Sequence, residues 1–134
     1  MRTPETVNGM TANQLRQALA PIRCFMLDMD GTFYLGNQIL PGSLDFLDAV
    51  ERTGRSVLFL TNNSSKSADY YVEKLKRMQV RAPFLNVLTS GQATARYCRA
   101  NFAGKKAFLL GNHILTGEFE KMACRGITRI PVMW

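Results

Sequence analysis

An α/β fold with a mainly parallel sheet is predicted by two observations: short apolar strands alternate with amphipathic helices, and the strands end abruptly in polar residues. "TANQLRQAL" reads as a short leading helix with Thr11 as N-cap, and Pro21 separates it from a strand over Arg23 to Leu27. The turn-rich "GTFYLGNQILPG" leads to a helix that Ser43 can cap. Its Leu44, Leu47 and Val50 share a face, and Gly54 stops it. "RSVLFLTNNSS" is a second strand. Ser67 then caps "ADYYVEKLKRMQ", where Tyr71, Leu75 and Met78 fall at helical spacing while Lys74, Lys76 and Arg77 stay in water. "NVLTSGQATARYCRANF" gives a third strand and another Ser-capped helix, and "KKAFLLGN" a fourth strand. No internal repeat or low-complexity segment interrupts this βαβαβ order.

A chain of 134 residues fits one small domain or a piece of something larger. No stretch approaches about eighteen consecutive apolar residues, and "MRTPETVNGMTANQLRQAL" lacks the charged-then-apolar pattern of a signal peptide, so a cytoplasmic protein without a membrane partner is expected. Cys24, Cys98 and Cys124 have no metal-ligand spacing and read as reduced structural thiols. The net charge of +7 is spread over single and paired Lys and Arg residues. That pattern argues against a nucleic-acid partner and suits anionic small molecules.

The stretch "FMLDMDGTFYLGN" carries the chemistry. An apolar strand ends in Asp28 and Asp30, followed at once by Gly31 and Thr32. Residues two apart in extended chain project to the same side, so the two carboxylates are presented together. At about 4 Å they would repel by roughly 4 kcal/mol at an effective dielectric near 20, so a cation or a shared proton is expected with them. Magnesium, a hard ion that takes carboxylates, carbonyls, water and phosphate oxygens, is the natural candidate. In open parallel sheets the binding crevice lies beyond the carboxyl ends of the strands. The second strand ends in Thr61, Asn62 and Asn63, whose hydroxyl and amides can donate to an oxyanion, so the two clusters should face one site. Gly31 lets the backbone turn close to it. Either motif alone has a plain reading, "DG" as a hairpin turn and "NNSS" as a loop. Lys66 reads as a solvated lysine at a helix start, His113 as part of a turn, and Tyr70 with Tyr71 as helix surface and core.

"DMDGT" and "LFLTNNSS", about thirty residues apart, resemble the first two motifs of the haloacid dehalogenase (HAD) superfamily, the second as written in its para-nitrophenyl phosphatase and phosphoglycolate phosphatase branch. "GNQILPGSLDFLDAV" is similar to that branch's flap and first helix, "VLTSGQATARYC" to its helix before the cap, and "KKAFLLGN" to the first strand of its inserted α/β cap. The resemblance runs from about Ile22 to Glu120 and implies a Rossmann-like core. It implies a magnesium-dependent phosphatase acting on a small phosphorylated metabolite. Asp28 would be the nucleophile and a metal ligand. Asp30 would be the general acid and base, its backbone carbonyl touching the metal. Thr61, Asn62 and Asn63 would hold the phosphoryl group.

By the same resemblance, a charge-neutralising lysine and a GDxxxTD-type pair of acids should follow the cap. No aspartate occurs after Asp69, and no Gly-Asp pair occurs at all. The tail "KMACRGITRIPVMW" fits the family poorly, where a glycine, a strand and an Asp-containing turn are expected. The expected organisation is a helical lead-in over 1–20, the N-terminal part of an HAD-like core over 21–103, and the beginning of a truncated cap over 104–134. A premature stop or frame shift near Met122 would account for the pattern. The expected product is an incomplete sheet with an exposed edge that invites self-association, and a chain inactive or weakly active alone. The alternative is a non-catalytic module that binds phosphate or a partner.

Overall fold

The computed structural model describes residues 6–7, 9–122 and 127–131. Strands β1 (Thr6–Val7) and β2 (Met10–Thr11) form a small antiparallel ribbon. Helix α1 (Ala12–Leu19) follows, and Thr11 caps it as the sequence predicts: the Thr11 hydroxyl accepts the Gln14 N–H while the Gln14 side chain accepts from Thr11.

The central sheet has three parallel strands in the order β3 (Cys24–Asp28), β6 (Ser56–Thr61), β7 (Val87–Thr89). Strand β6 lies in the middle and is apolar on both faces, with Val57 and Phe59 buried. Strand β3 carries apolar side chains on both faces but buries only one. Phe25 and Leu27 pack inward, whereas Cys24 and Met26 point outward, Met26 with 69% of its surface exposed. Among the described residues no strand pairs with the other edge of β3.

Between β3 and β6 run the hairpin β4 (Tyr34–Leu35) and β5 (Gln38–Ile39) and the helix α2 (Ser43–Arg52). The hairpin closes through Gly36 and Asn37, with Gly36 at φ +59°, a conformation that favours glycine. Helix α2 buries Leu47 and Val50 but leaves Leu44 exposed. Its cap is also not the one expected. Gly42 occupies the N-cap in a left-handed conformation, and the Ser43 hydroxyl donates instead to the Phe33 carbonyl at 3.0 Å.

Helix α3 (Ala68–Arg77) is capped by Ser67, as expected, and buries Tyr71 and Leu75. A 3-10 turn over Ala82–Phe84 leads to β7. Helix α4 (Ser90–Asn101) then starts one residue earlier than the Ser cap implies, because the Thr89 hydroxyl accepts the Gln92 N–H. The core formed between sheet and helices includes Phe33 against Phe59, edge to face at 4.8 Å, with Leu75 fully buried beside them. A fully buried side chain of this size contributes about 1.5–3 kcal/mol.

The fourth predicted strand, β8 (Ala107–Gly111), stands outside the central sheet. It pairs in parallel with β9 (Ile127–Pro131) across helix α5 (His113–Lys121). The tail that fits the family pattern poorly thus still supplies a strand. Cys124 lies outside the described residues. Among those described, Cys24 and Cys98 are free thiols, and no helix is long and apolar enough to cross a membrane.

Candidate active site

Strand register brings the two motifs together. Asp28 pairs with Leu60, so Thr61 comes one residue later on the adjacent strand, at the same carboxyl end of the sheet. Past β3 the backbone keeps its alternation: Asp28 is exposed, Met29 is 1% exposed and Asp30 is exposed again. Burial of Met29 therefore sets both carboxylates on the outer side. The turn is gathered on one acceptor, the Met29 carbonyl, which takes the N–H groups of Thr32, Phe33 and Tyr34 at 3.3, 2.9 and 3.1 Å. Gly31, at φ +83°, donates its N–H to the Tyr34 carbonyl at 2.7 Å, and makes the turn without lining the cleft.

The loop after β6 is tied down on every side. The Thr61 hydroxyl accepts the Asn63 N–H at 3.2 Å. Asn63 Oδ1 accepts the Ser65 N–H at 2.9 Å, which fixes the orientation of the Asn63 amide. Ser90 donates to the Asn62 carbonyl at 3.0 Å, and Asn112 to the Ser65 carbonyl at 3.1 Å. Tyr71 reaches the Asn63 carbonyl at 3.4 Å. Burial, the largest influence, raises the Tyr71 phenol above its usual range, and a hydrogen bond with Thr61 works in the opposite direction.

Asp28, Asp30, Thr61, Asn62 and Asn63 line one cleft of ≈ 810 Å³. The hairpin contributes Tyr34, Leu35 and Gly36 to its wall, and the α3 side contributes Lys66, Tyr70, Tyr71 and Lys74. Lys74 is the largest departure from expectation. Its ammonium lies 3.9 Å from the centre of the Tyr34 ring and is half-buried there, not in water. Lys66 is exposed as expected, yet it borders the cleft and stands 5.4 Å from the centre of the Tyr70 ring. The helical spacing of Tyr70, Lys74 and Arg77 was the available signal. Two cleft carboxylates meet two lysines here, so the site is not uniformly charged. Burial and then Tyr71, Asp30, Tyr70 and Asp28 push the Tyr34 hydroxyl up to about 12. His113 opens α5 and does not line the cleft.

A residue with no sequence signal holds these parts in place. Glu118 of α5 is 7% exposed, and its carboxylate accepts the Ala68 N–H at 3.1 Å and the Thr89 hydroxyl at 3.2 Å. It therefore meets the start of α3 and the cap of α4, where helix dipoles favour negative charge. Gly91 makes room for it: a Cβ there would stand 2.8 Å from Glu118 Oε2 and 2.6 Å from Leu115 Cδ1.

Paired acids and a Thr-Asn-Asn loop thus meet at adjacent parallel strand ends of a Rossmann-like core. The haloacid dehalogenase-like hydrolase family model matches residues 25–125, and the chain belongs to that family. It is 32% identical over 131 residues to a glycerol-3-phosphate phosphatase of Rattus norvegicus, covering 92% of this chain and 40% of the relative. It is 35% identical over 89 residues to an acid sugar phosphatase of Staphylococcus aureus, covering 66% of this chain and 34% of that protein. A solved 4-nitrophenylphosphatase of Thermotoga maritima superposes with a TM-score of 0.70 at 46% identity, over 75% of this chain and 39% of the other. A glycerol phosphate phosphatase of Mycobacterium tuberculosis, solved in complex with magnesium, gives 0.65 at 30% identity, over 83% and 32%. The chain thus spans about 40% or less of the length of these relatives.

Proposed function

We propose that the cleft binds the phosphoryl group of a small phosphate monoester and carries the nucleophile and acid–base residues of an HAD-type phosphatase. The observation that carries this reading is the convergence of Asp28, Asp30, Thr61, Asn62 and Asn63 on one cleft at adjacent strand ends. An Asp28 oxygen attacks phosphorus as the bond to the leaving oxygen breaks, and Asp30 gives the departing alkoxide its proton. Asp30 then takes a proton from the water that cleaves the aspartyl phosphate, which frees phosphate and restores Asp28. Thr61 and the two asparagine amides donate to the phosphoryl oxygens.

The donor set fits Mg²⁺ in its usual manner, with one or two carboxylates and the rest from water and substrate oxygens. Among the described residues no three His, Cys, Asp or Glu side chains group to enclose an ion, so the Asp28 carboxylate and the Asp30 backbone carbonyl would be its protein ligands. Bound there, Mg²⁺ would screen the charge between carboxylate and phosphate. Losing a single preorganised charge stabiliser typically costs a hundred- to a thousandfold in rate, or about 3–4 kcal/mol. With these two as the only such ligands described, binding without appreciable turnover by this chain alone is the second reading.

The test is calorimetric binding of inorganic phosphate with Mg²⁺, together with trapping of the phosphoenzyme from p-nitrophenyl phosphate, the latter repeated with the carboxyl-terminal half of a related phosphatase added. Thr61→Ala should weaken phosphate by about 1–3 kcal/mol, and Asp28→Asn should abolish the phosphoenzyme. Equal hydrolysis by wild type and Asp28→Asn sinks the nucleophile assignment. Phosphate binding without any phosphoenzyme supports the binding-only reading.

A further inference from the structure

Asn63 lines the cleft, and its amide has a donor end and an acceptor end. Only the donor end suits an anion. Ser65 makes the selection, because its N–H is donated to Asn63 Oδ1 at 2.9 Å. Asn62, Asn63, Ser65 and Lys66 are all exposed, so burial does little to set the shape of this loop. Its hydrogen bonds set it instead. The Ser65 carbonyl accepts from Asn112 Nδ2 at 3.1 Å, across 47 positions of sequence. Asn112 is itself anchored, since its Oδ1 accepts the Leu115 N–H at 3.0 Å as the cap of α5. The Leu115 side chain seats α5 closely: a Cβ on Gly91 of α4 would lie 2.6 Å from Leu115 Cδ1, and one on Gly111 2.6 Å from Leu115 Cδ2. Neither Ser65 nor Asn112 lines the cleft.

We propose that Asn112 is a positioning residue for phosphoryl binding, which acts through Ser65 on the Asn63 amide. The inference rests on the phosphoryl reading of the cleft and adds to it a residue of the β8–α5–β9 unit, outside the central sheet. One side chain divides two tasks: its oxygen caps α5 and its nitrogen holds Ser65. The loop is thereby tied to the start of α5. On the other side of Asn63, Ser90 of α4 donates to the Asn62 carbonyl at 3.0 Å, so Asn63 stands between two held neighbours. Released from Asn112, Ser65 can move away from Asn63, and the amide can then turn its oxygen towards the anion. An acceptor facing an oxyanion is repelled.

Asn112→Ser separates the two tasks, because serine remains a good N-cap but its hydroxyl is one bond too short to reach the Ser65 carbonyl. The whole chain is titrated calorimetrically with inorganic phosphate in the presence of Mg²⁺. Asn112→Ser should bind phosphate about fivefold more weakly, the scale of one hydrogen bond, at an unchanged melting temperature. Exchange of the Ser65 N–H with solvent, followed by NMR, should quicken. In an Asn63→Ala background the same substitution should change the affinity no further, because the group it positions is gone. Unchanged affinity in Asn112→Ser, or a loss as large in Asn63→Ala as in wild type, overturns the positioning role. If Thr61→Ala still weakens phosphate in those cases, the phosphoryl reading stands. Should Asn112→Ser melt early, Asn112→Asp, which keeps the cap and loses the donor, decides by the same cycle, in which the effect of its added charge cancels. Failure of phosphate to bind wild type overturns both readings.

Discussion

The carboxylate of Glu118 accepts the backbone N–H of Ala68 at 3.1 Å, joining α5 to the first residue of a helix fifty positions earlier in the chain. Its other oxygen accepts from Thr89, the cap of α4, so one side chain fastens two helix starts. Glu118→Ala should destabilise the fold by about 1–3 kcal/mol, because both donors lose a buried acceptor. Glu118→Gln, with one acceptor left, should cost less. Urea denaturation measures both, and amide exchange at Ala68 should accelerate in the Ala variant. An unchanged midpoint would show that α5 does not bear on the stability of the core.

Gln79 follows the end of α3 at φ +63°, a left-handed conformation that glycine adopts without strain. Gln79→Gly should therefore stabilise by up to about 1 kcal/mol, reversing the usual cost of a glycine. A lower melting temperature in this variant would mean that the Gln79 side chain contributes more than its backbone costs.

Tyrosine in an unfolded chain ionises near pH 10, whereas Tyr34 is pushed up to about 12, first by burial and then by Tyr71 and Asp30. The native state thus holds this proton more tightly. Its contribution to stability is intact below about pH 10 and is lost as pH rises through about 12. Ultraviolet titration should show a late-ionising tyrosine that disappears in Tyr34→Phe and moves down in Asp30→Asn. Ionisation of all four tyrosines together near 10 would contradict the burial of this ring.

Met26 projects from the outward face of β3, 69% exposed, on a strand with one unpaired edge among the described residues. An unpaired parallel strand with apolar side chains templates association. Sedimentation over a range of concentrations should show self-association that Met26→Lys reduces. A concentration-independent monomer in both would show that this edge is protected.

Much of this architecture was legible because periodicity reports burial. Leu47 and Val50, or Tyr71 and Leu75, recur at helical spacing because a single face of each helix meets the sheet. That the acids and the loop after β6 would share one cleft was legible for a related reason: acids closing an apolar strand have no structural use. Caps were less so. Ser43 and Ser90 each lie one residue inside their helices, since the backbone turns at Gly42 and Thr89, and a serine can donate elsewhere. Lys74 and Glu118 were the least legible. Each is a charged residue on an ordinary helix, and only the tertiary approach of Tyr34 or of two helix starts gives it a partner.

Each later strand of the central sheet is laid on the same side as the one before, in the order β3, β6, β7. A ribosome delivers them in that order too. About sixty residues separate Asp28 from Thr89, roughly 3–12 s of synthesis at about 5–20 residues per second. Throughout that interval the strand carrying Asp28 has at most one neighbour in the sheet. The order in which the two halves of the cleft meet is thus set by translation.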